Sequence, residues 1–172
     1  NAELNSDYLD DFDIEWQNLI EDHVWQIGGV SLDYINKNLD EFATEEIKKS
    51  TTTDTKKIGL MYVSDYLYAY DGNKNDTVAE ISQNSTSSNN WITSIVGTGG
   101  FWSITPIKNT DKYVYILGDK RSLNYAFAND VSASTLANYS IPTLYLTEDV
   151  CFDGKHNGSS TNPFRIGECS NE

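Results

Sequence analysis

FWSITPI (Phe101–Ile107), YVYIL (Tyr113–Leu117) and LNYAFA (Leu123–Ala128) decide the fold. Each run is rich in aromatic and β-branched residues, which suit a pleated, half-buried surface. Gly118-Asp119-Lys120-Arg121 supplies a tight turn between the second and third. The spacing predicts an antiparallel meander. Downstream, Ile141–Leu146 reads as a further strand, with Pro142 at its start or on an edge, because proline cannot donate to a ladder. Asn162-Pro163 turns into a last short strand, Phe164–Ile166. Upstream, Ile58–Val63 reads as a buried strand, and Ser64-Asp65 then caps a turn or short helix carrying Tyr66, Leu67 and Tyr70. Asp71–Asp76 and Ser82–Asn90 read as polar loops.

The first third has a different grammar. Leu9, Phe12, Trp16, Leu19 or Ile20, and Val24 recur at three- and four-residue steps, which predicts an amphipathic helix over about Ser6–Ile27. Ser6 is placed to cap it, and Asp7, Asp10 and Asp11 sit where the helix dipole favours negative charge. Gly28-Gly29 ends this helix, or ends a short strand over Val24–Ile27. Ser31–Lys49 has weaker helical spacing, with a last turn opened by Thr44 and closed by Lys48-Lys49. Ser50–Thr55 reads as a surface linker. Helices first and strands later predict an α+β fold with an antiparallel sheet. The reading is one domain over 1–172, with a helical part at 3–50 and a sheet part at 57–169.

Composition sets limits on function. The 172 residues carry a net charge of −14, and 38% are hydrophobic, against about 45–50% in an ordinary globular chain. The difference is filled by 17 Asn, 17 Ser and 15 Thr. Aromatics at 12% argue for a folded chain. No apolar run approaches the ~20 residues of a membrane span. The charge is uneven. Residues 1–54 hold 14 acids against Lys37, Lys48 and Lys49, a net of −11, whereas 55–172 hold 12 acids against nine bases. The overall field repels nucleic acid and anionic lipid, yet the strand region is close to balance.

Few residues point to reaction chemistry. Two Cys and two His are too few for a Cys/His zinc site of the usual spacing, so neither metal nor cofactor is expected. His23 reads as a half-exposed helix residue and His156 as a solvated turn residue. Asp71, Asn73, Asn75 and Asp76 resemble part of a calcium loop but lack its sixth-position glycine and twelfth-position acid, so they read as a turn. The N-x-S/T triplets at Asn75, Asn84, Asn138 and Asn157 follow from composition. No nucleophile elbow, phosphate loop or H-E-x-x-H occurs, and the expectation is a protein that is not an enzyme.

Cys151 and Cys169 read as a disulfide stapling the C-terminal loop to the last strand, which would place the chain in an oxidising compartment. Two unpaired thiols in a cytoplasmic protein are the other reading. Lys108, Lys112, Lys120 and Arg121, with Tyr113 and Tyr115 between them, form a candidate polyanion patch if the meander's loops converge. The competing reading is scattered lysines that keep a sheet edge from pairing.

Ile58-Gly-Leu-Met-Tyr-Val-Ser-Asp-Tyr66 with Tyr68-Ala69, Asn90-Trp91, Phe101-Trp-Ser-Ile-Thr-Pro106, Tyr139-Ser-Ile-Pro-Thr-Leu-Tyr-Leu146 and Asp153-Gly…Asn162-Pro-Phe-Arg-Ile166 occur in that order. Over about 57–167 this resembles a module of Gram-positive surface proteins that includes C-terminal regions of type IV pilin-like subunits. Where that module often carries an arginine before its penultimate-strand proline, this chain has Ser140-Ile141. The resemblance implies the extracellular part of a minor pilin, with its amphipathic helix packed on the antiparallel sheet and a disulfide-closed C-terminal loop. The implied location is a cell-surface pilus. Implied partners are other pilin subunits, reached through the N-terminal helix and an apolar segment upstream of it, which would also make the only membrane contact. The implied role is adhesion and biofilm attachment to matrix, extracellular DNA or a glycan. The strand half is also similar to lectin-like surface domains, in which Trp91 and Trp102, with Tyr113, would stack on carbohydrate. For Trp102, whose strand neighbours are apolar, core packing is the plainer reading.

Overall fold

A computed structural model describes residues 3–73, 75–96, 100–110, 113–117, 123–127, 139–152, 162 and 166–168. In chain order these form helices α1 (Asp7–Asp10), α2 (Ile14–Asn18), α3 (Leu39–Ala43), α4 (Val63–Tyr68), α5 (Val78–Asn84) and α6 (Trp91–Val96). The strands are β1 (His23–Gln26), β2 (Thr53–Lys56), β3 (Ile58–Leu60), β4 (Phe101–Pro106), β5 (Tyr113–Leu117), β6 (Asn124–Phe127), β7 (Tyr139–Ser140), β8 (Pro142–Leu144), β9 (Val150–Phe152) and β10 (Ile166–Glu168). Tight 3-10 turns cover Glu3–Asn5 and Leu32–Asn36, and a π-helical turn covers Thr44–Lys48. The fold is mixed α and β with small sheets. Among the described residues no helix is long and apolar enough to cross a membrane.

The chain divides into two compact units: Val24–Thr55 with Gly59–Thr143, and Asn1–His23 with Lys56–Ile58 and Leu144–Glu172. In the first, the meander is present as expected. β4 pairs antiparallel with β5, and β5 with β6. The sheet order is β6-β5-β4-β7, and β7 joins parallel to β4, which the antiparallel expectation did not include. One face of this sheet buries Phe101, Tyr115 and Leu117 against Phe42, Tyr66, Leu67, Val78 and Ile81 from the helices. Each such side chain contributes roughly 1.5–3 kcal/mol when fully buried. A smaller cluster joins Trp25, Tyr62 and Ile104. There Gly59 lets the backbone lie against the indole, since a Cβ at this position would sit 2.7 Å from Trp25.

The second unit contains the principal correction. The expected helix over Ser6–Ile27 is absent as a continuous element: α1 and α2 are four and five residues long, and β1 follows. Neither helix buries a residue, and Ile14 is 66% exposed. Asp7, Asp10, Asp11, Asp13 and Glu15 crowd like charges at helical neighbour positions, and Asp is itself a helix-interrupting cap former. Without a buried face, nothing offsets that repulsion. Ser6 makes no side-chain cap; its hydroxyl donates to Asp7 instead. The segment is held by side chains reaching into backbone. Asn5 brackets Ile58, accepting from its N–H at 2.9 Å and donating to its carbonyl at 2.7 Å. The Lys57 ammonium donates to the carbonyls of Gln17 and Ile20. β9 and β10 pair antiparallel with Cys151 opposite Gly167, while Cys169 lies outside the described residues.

Two further readings change. The expected linker Ser50–Thr55 runs into a strand, Thr53–Lys56, which pairs with β1. The expected loop at Ser82–Asn90 is entered by α5, whose start is a capping box: Thr77 accepts from the Glu80 N–H, and Glu80 accepts from the Thr77 N–H at 2.8 Å.

Candidate functional site

Among the described residues of the larger unit, two depressions and an exposed tryptophan are candidate binding features. The first depression, about 370 Å³, is lined by Lys108, Asn109, Thr110 and Tyr113 with Ile27 and Gly28. It exists because the turn after β4 is tied to the turn after β1. Val30 N–H donates to the Pro106 carbonyl at 3.0 Å, and Lys108 N–H donates to the Val30 carbonyl at 3.1 Å. Gly29 makes this approach feasible: its φ is +77°, and a Cβ would lie 2.6 Å from the Pro106 carbonyl oxygen.

Lys108 and Tyr113 of the expected polyanion patch therefore share one groove. Tyr115 does not; it is 1% exposed, packs in the core and donates its hydroxyl to the Val30 carbonyl at 3.3 Å. Burial first, and then the charge of Glu46, push its phenol pKa up. Lys112, Lys120 and Arg121 lie outside the described residues. The Lys108 ammonium is already engaged: it contacts Glu45 at 2.7 Å, and Lys49 approaches the same carboxylate at 3.4 Å. The Lys108 contact holds Glu45 below the ordinary glutamate range, and Tyr34 adds a hydrogen bond to it. The same pairing raises the pKa of Lys108.

The second depression, about 630 Å³, opens on the other flank of Glu45, with Lys49 in its wall. Tyr34, Asn38, Asp40, Glu41 and Thr44 complete one side, and Asn75 stands among them because Val78 N–H bonds the Lys37 carbonyl. Its polar groups are held in place. Tyr68 donates to Asp40 at 2.6 Å, and the Asn38 amide donates to Glu41 at 2.7 Å while its oxygen caps α3. Burial, followed by the Asp40 contact, pushes the Tyr68 pKa up to about 12. This cleft was missed in the sequence. The N-cap pattern Asn38-x-x-Glu41 and the box Thr77-x-x-Glu80 are the signals that mark its two walls.

The π-helical turn separates two adjacent carboxylates. Lys49 N–H bonds the Thr44 carbonyl at 3.0 Å, the five-residue reach of a π turn. Glu45 therefore meets the lysines, while Glu46, 1% exposed, points into the core. Its oxygens accept from the N–H groups of Val63 at 3.0 Å and Ser64 at 3.1 Å, and from the Thr105 hydroxyl. It thus caps α4 from a distant segment. Burial still outweighs these bonds and raises its pKa.

Trp91 is 62% exposed on the first turn of α6. Its backbone is fixed by buried Asn90, which accepts from the N–H groups of Ile92 and Thr93 and donates to the Tyr66 carbonyl at 2.9 Å. Trp102, on β4, is half-buried. His23 stacks on Tyr145 with ring centroids 3.8 Å apart and contacts Glu21 at 3.1 Å; His156 lies outside the described residues. Comparison with protein families, curated proteins and solved structures gives no match.

Proposed function

We propose that the chain is an adhesive, non-enzymatic module of an exported bacterial surface protein, of the pilin-like kind that its strand half resembles, and that it attaches by binding carbohydrate. The observation that supports this ligand is Trp91, a large aromatic surface presented to solvent on a backbone pinned by Asn90. A rigid aromatic loses little freedom on binding, which is why tryptophan dominates many contact energies. Assembly beside other pilin subunits belongs to the same proposal, although α1 and α2 are too short to offer the docking helix that the resemblance implies. A Cys151–Cys169 disulfide closing the C-terminal loop is also proposed. The β9–β10 register supports it, because Gly167, opposite Cys151, is two residues before Cys169.

Polyanion binding is the second reading, favoured by Lys108 and Tyr113 lining one groove and by two lysines around the single carboxylate of Glu45. One experiment separates the two readings. On a glycan array, the carbohydrate reading expects binding that salt leaves unchanged and that Trp91→Ala weakens about tenfold or more. The polyanion reading expects retention on heparin or DNA that falls steeply with salt and is lost when Lys108, Lys112, Lys120 and Arg121 become Glu. Glycan binding indifferent to Trp91→Ala overturns the first reading. Salt-insensitive retention overturns the second.

A further inference from the structure

The 630 Å³ cleft has the volume and chemistry of a saccharide site, and no sequence motif assigns it. Its composition is mixed. Tyr34 gives an aromatic wall whose hydroxyl is tied back to Glu45. Asp40 and Glu41 each have one oxygen anchored by a protein donor, Tyr68 and Asn38, which fixes the carboxylate and leaves its second oxygen as an acceptor for a ligand. The Asn75 side chain and the Thr44 hydroxyl add donors and acceptors to the lining. Oriented acceptors beside a flat ring match a pyranose: hydroxyl donors meet the carboxylates, and the C–H face of the sugar packs on tyrosine. The charge selects further. Among the described lining residues Asp40 and Glu41 outnumber Lys49, and Lys49 is already drawn to Glu45.

We infer that this cleft binds a neutral or amino sugar and rejects uronic or sulfated ones. The inference rests on the carbohydrate reading above and adds to it a second contact region and a sugar class. The test is titration of the intact chain, by calorimetry, with N-acetylglucosamine oligomers, glucosamine oligomers and, as the acidic comparison, hyaluronan oligomers. Three variants are used: Asp40→Asn combined with Glu41→Gln, Asn75→Leu, and Trp91→Ala. Asn75→Leu replaces a polar lining group by an apolar one and leaves the α3 cap untouched, so it reports on the cleft independently of any folding defect in the double variant. The expected result is binding of a neutral or amino oligomer, at least tenfold weaker in both cleft variants, with no binding of hyaluronan. Binding that both cleft variants leave unchanged but Trp91→Ala removes overturns the cleft and leaves the carbohydrate reading standing. Preference for hyaluronan overturns the sugar class alone. Failure of all three oligomers to bind overturns this inference.

Discussion

At the residue scale, the pair Glu45-Glu46 shows how far neighbouring identical side chains can diverge. Glu-Glu-Ile-Lys-Lys reads as a last helical turn, and nothing in its spacing announces that both carboxylates are buried, Glu45 against lysines and Glu46 among backbone donors. That information lies in Val63, Ser64, Thr105 and Lys108, which are remote in sequence. The two glutamates titrate with opposite effects on stability. Glu46 has a raised pKa, so from the ordinary value of 4.5 up to its folded value the native state keeps a proton that the unfolded chain has lost. Its contribution therefore falls as pH rises through that window. Glu45 has a lowered pKa, so its contribution is complete above the ordinary range and is lost as pH falls through its folded value. Glu46→Gln removes the first dependence only. Urea midpoints measured across this range are expected to show the stability of the natural chain declining with pH relative to Glu46→Gln; parallel profiles would contradict the burial argument. The patch residues were legible only in part. Lys108 and Tyr113 could be paired from strand spacing; the pleat puts Tyr113, Tyr115 and Leu117 on one face, where Tyr115 and Leu117 are buried and Tyr113, at the strand start, also lines the groove.

At the element scale, the meander was readable because its strands combine apolar faces with a turn of unambiguous chemistry. The N-terminal helix was over-read for a physical reason: periodicity reports a face that could be buried, and here the carboxylates on every other side outweigh it. The helix α5 was under-read, because Asn and Ser obscured the box formed by Thr77 and Glu80. That box makes a specific demand. Thr77→Ala removes the acceptor for the Glu80 N–H and the hydroxyl that donates to Glu80 at 2.7 Å. The expected cost is about 1 kcal/mol, read as a lower urea midpoint with unchanged slope. A loss near zero would mean that α5 is held by Val78 and Ile81 packing alone. The parallel edge strand β7 was not foreseeable, because its partner β4 lies far upstream and two residues carry no periodicity.

At the scale of the whole molecule, the two compact units are stabilised in different ways. The larger unit has a contiguous apolar core, whereas among the described residues of the smaller, buried Ile20 and Ile58 are accompanied by the Asn5 and Lys57 hydrogen bonds and the β9–β10 pair. A disulfide from Cys151 to Cys169 would support the latter, and closing a loop of that length stabilises by about 3 kcal/mol. Calorimetry with and without a reductant is expected to show a midpoint several degrees lower when reduced, and no such shift in a Cys151→Ser, Cys169→Ser chain. An unchanged midpoint in the natural chain would remove the bond from the account. The π turn at Thr44–Lys48, in the larger unit, also constrains how the chain can vary. A π turn accommodates one residue more than the α turn it replaces, and each residue gained or lost rotates the downstream chain by about 100°. Loss of one residue within 44–48 would close the stretch to an α turn and remove the extra residue that lets adjacent glutamates serve different partners. At 44–48 the number of residues, and not their identity alone, therefore carries structural information.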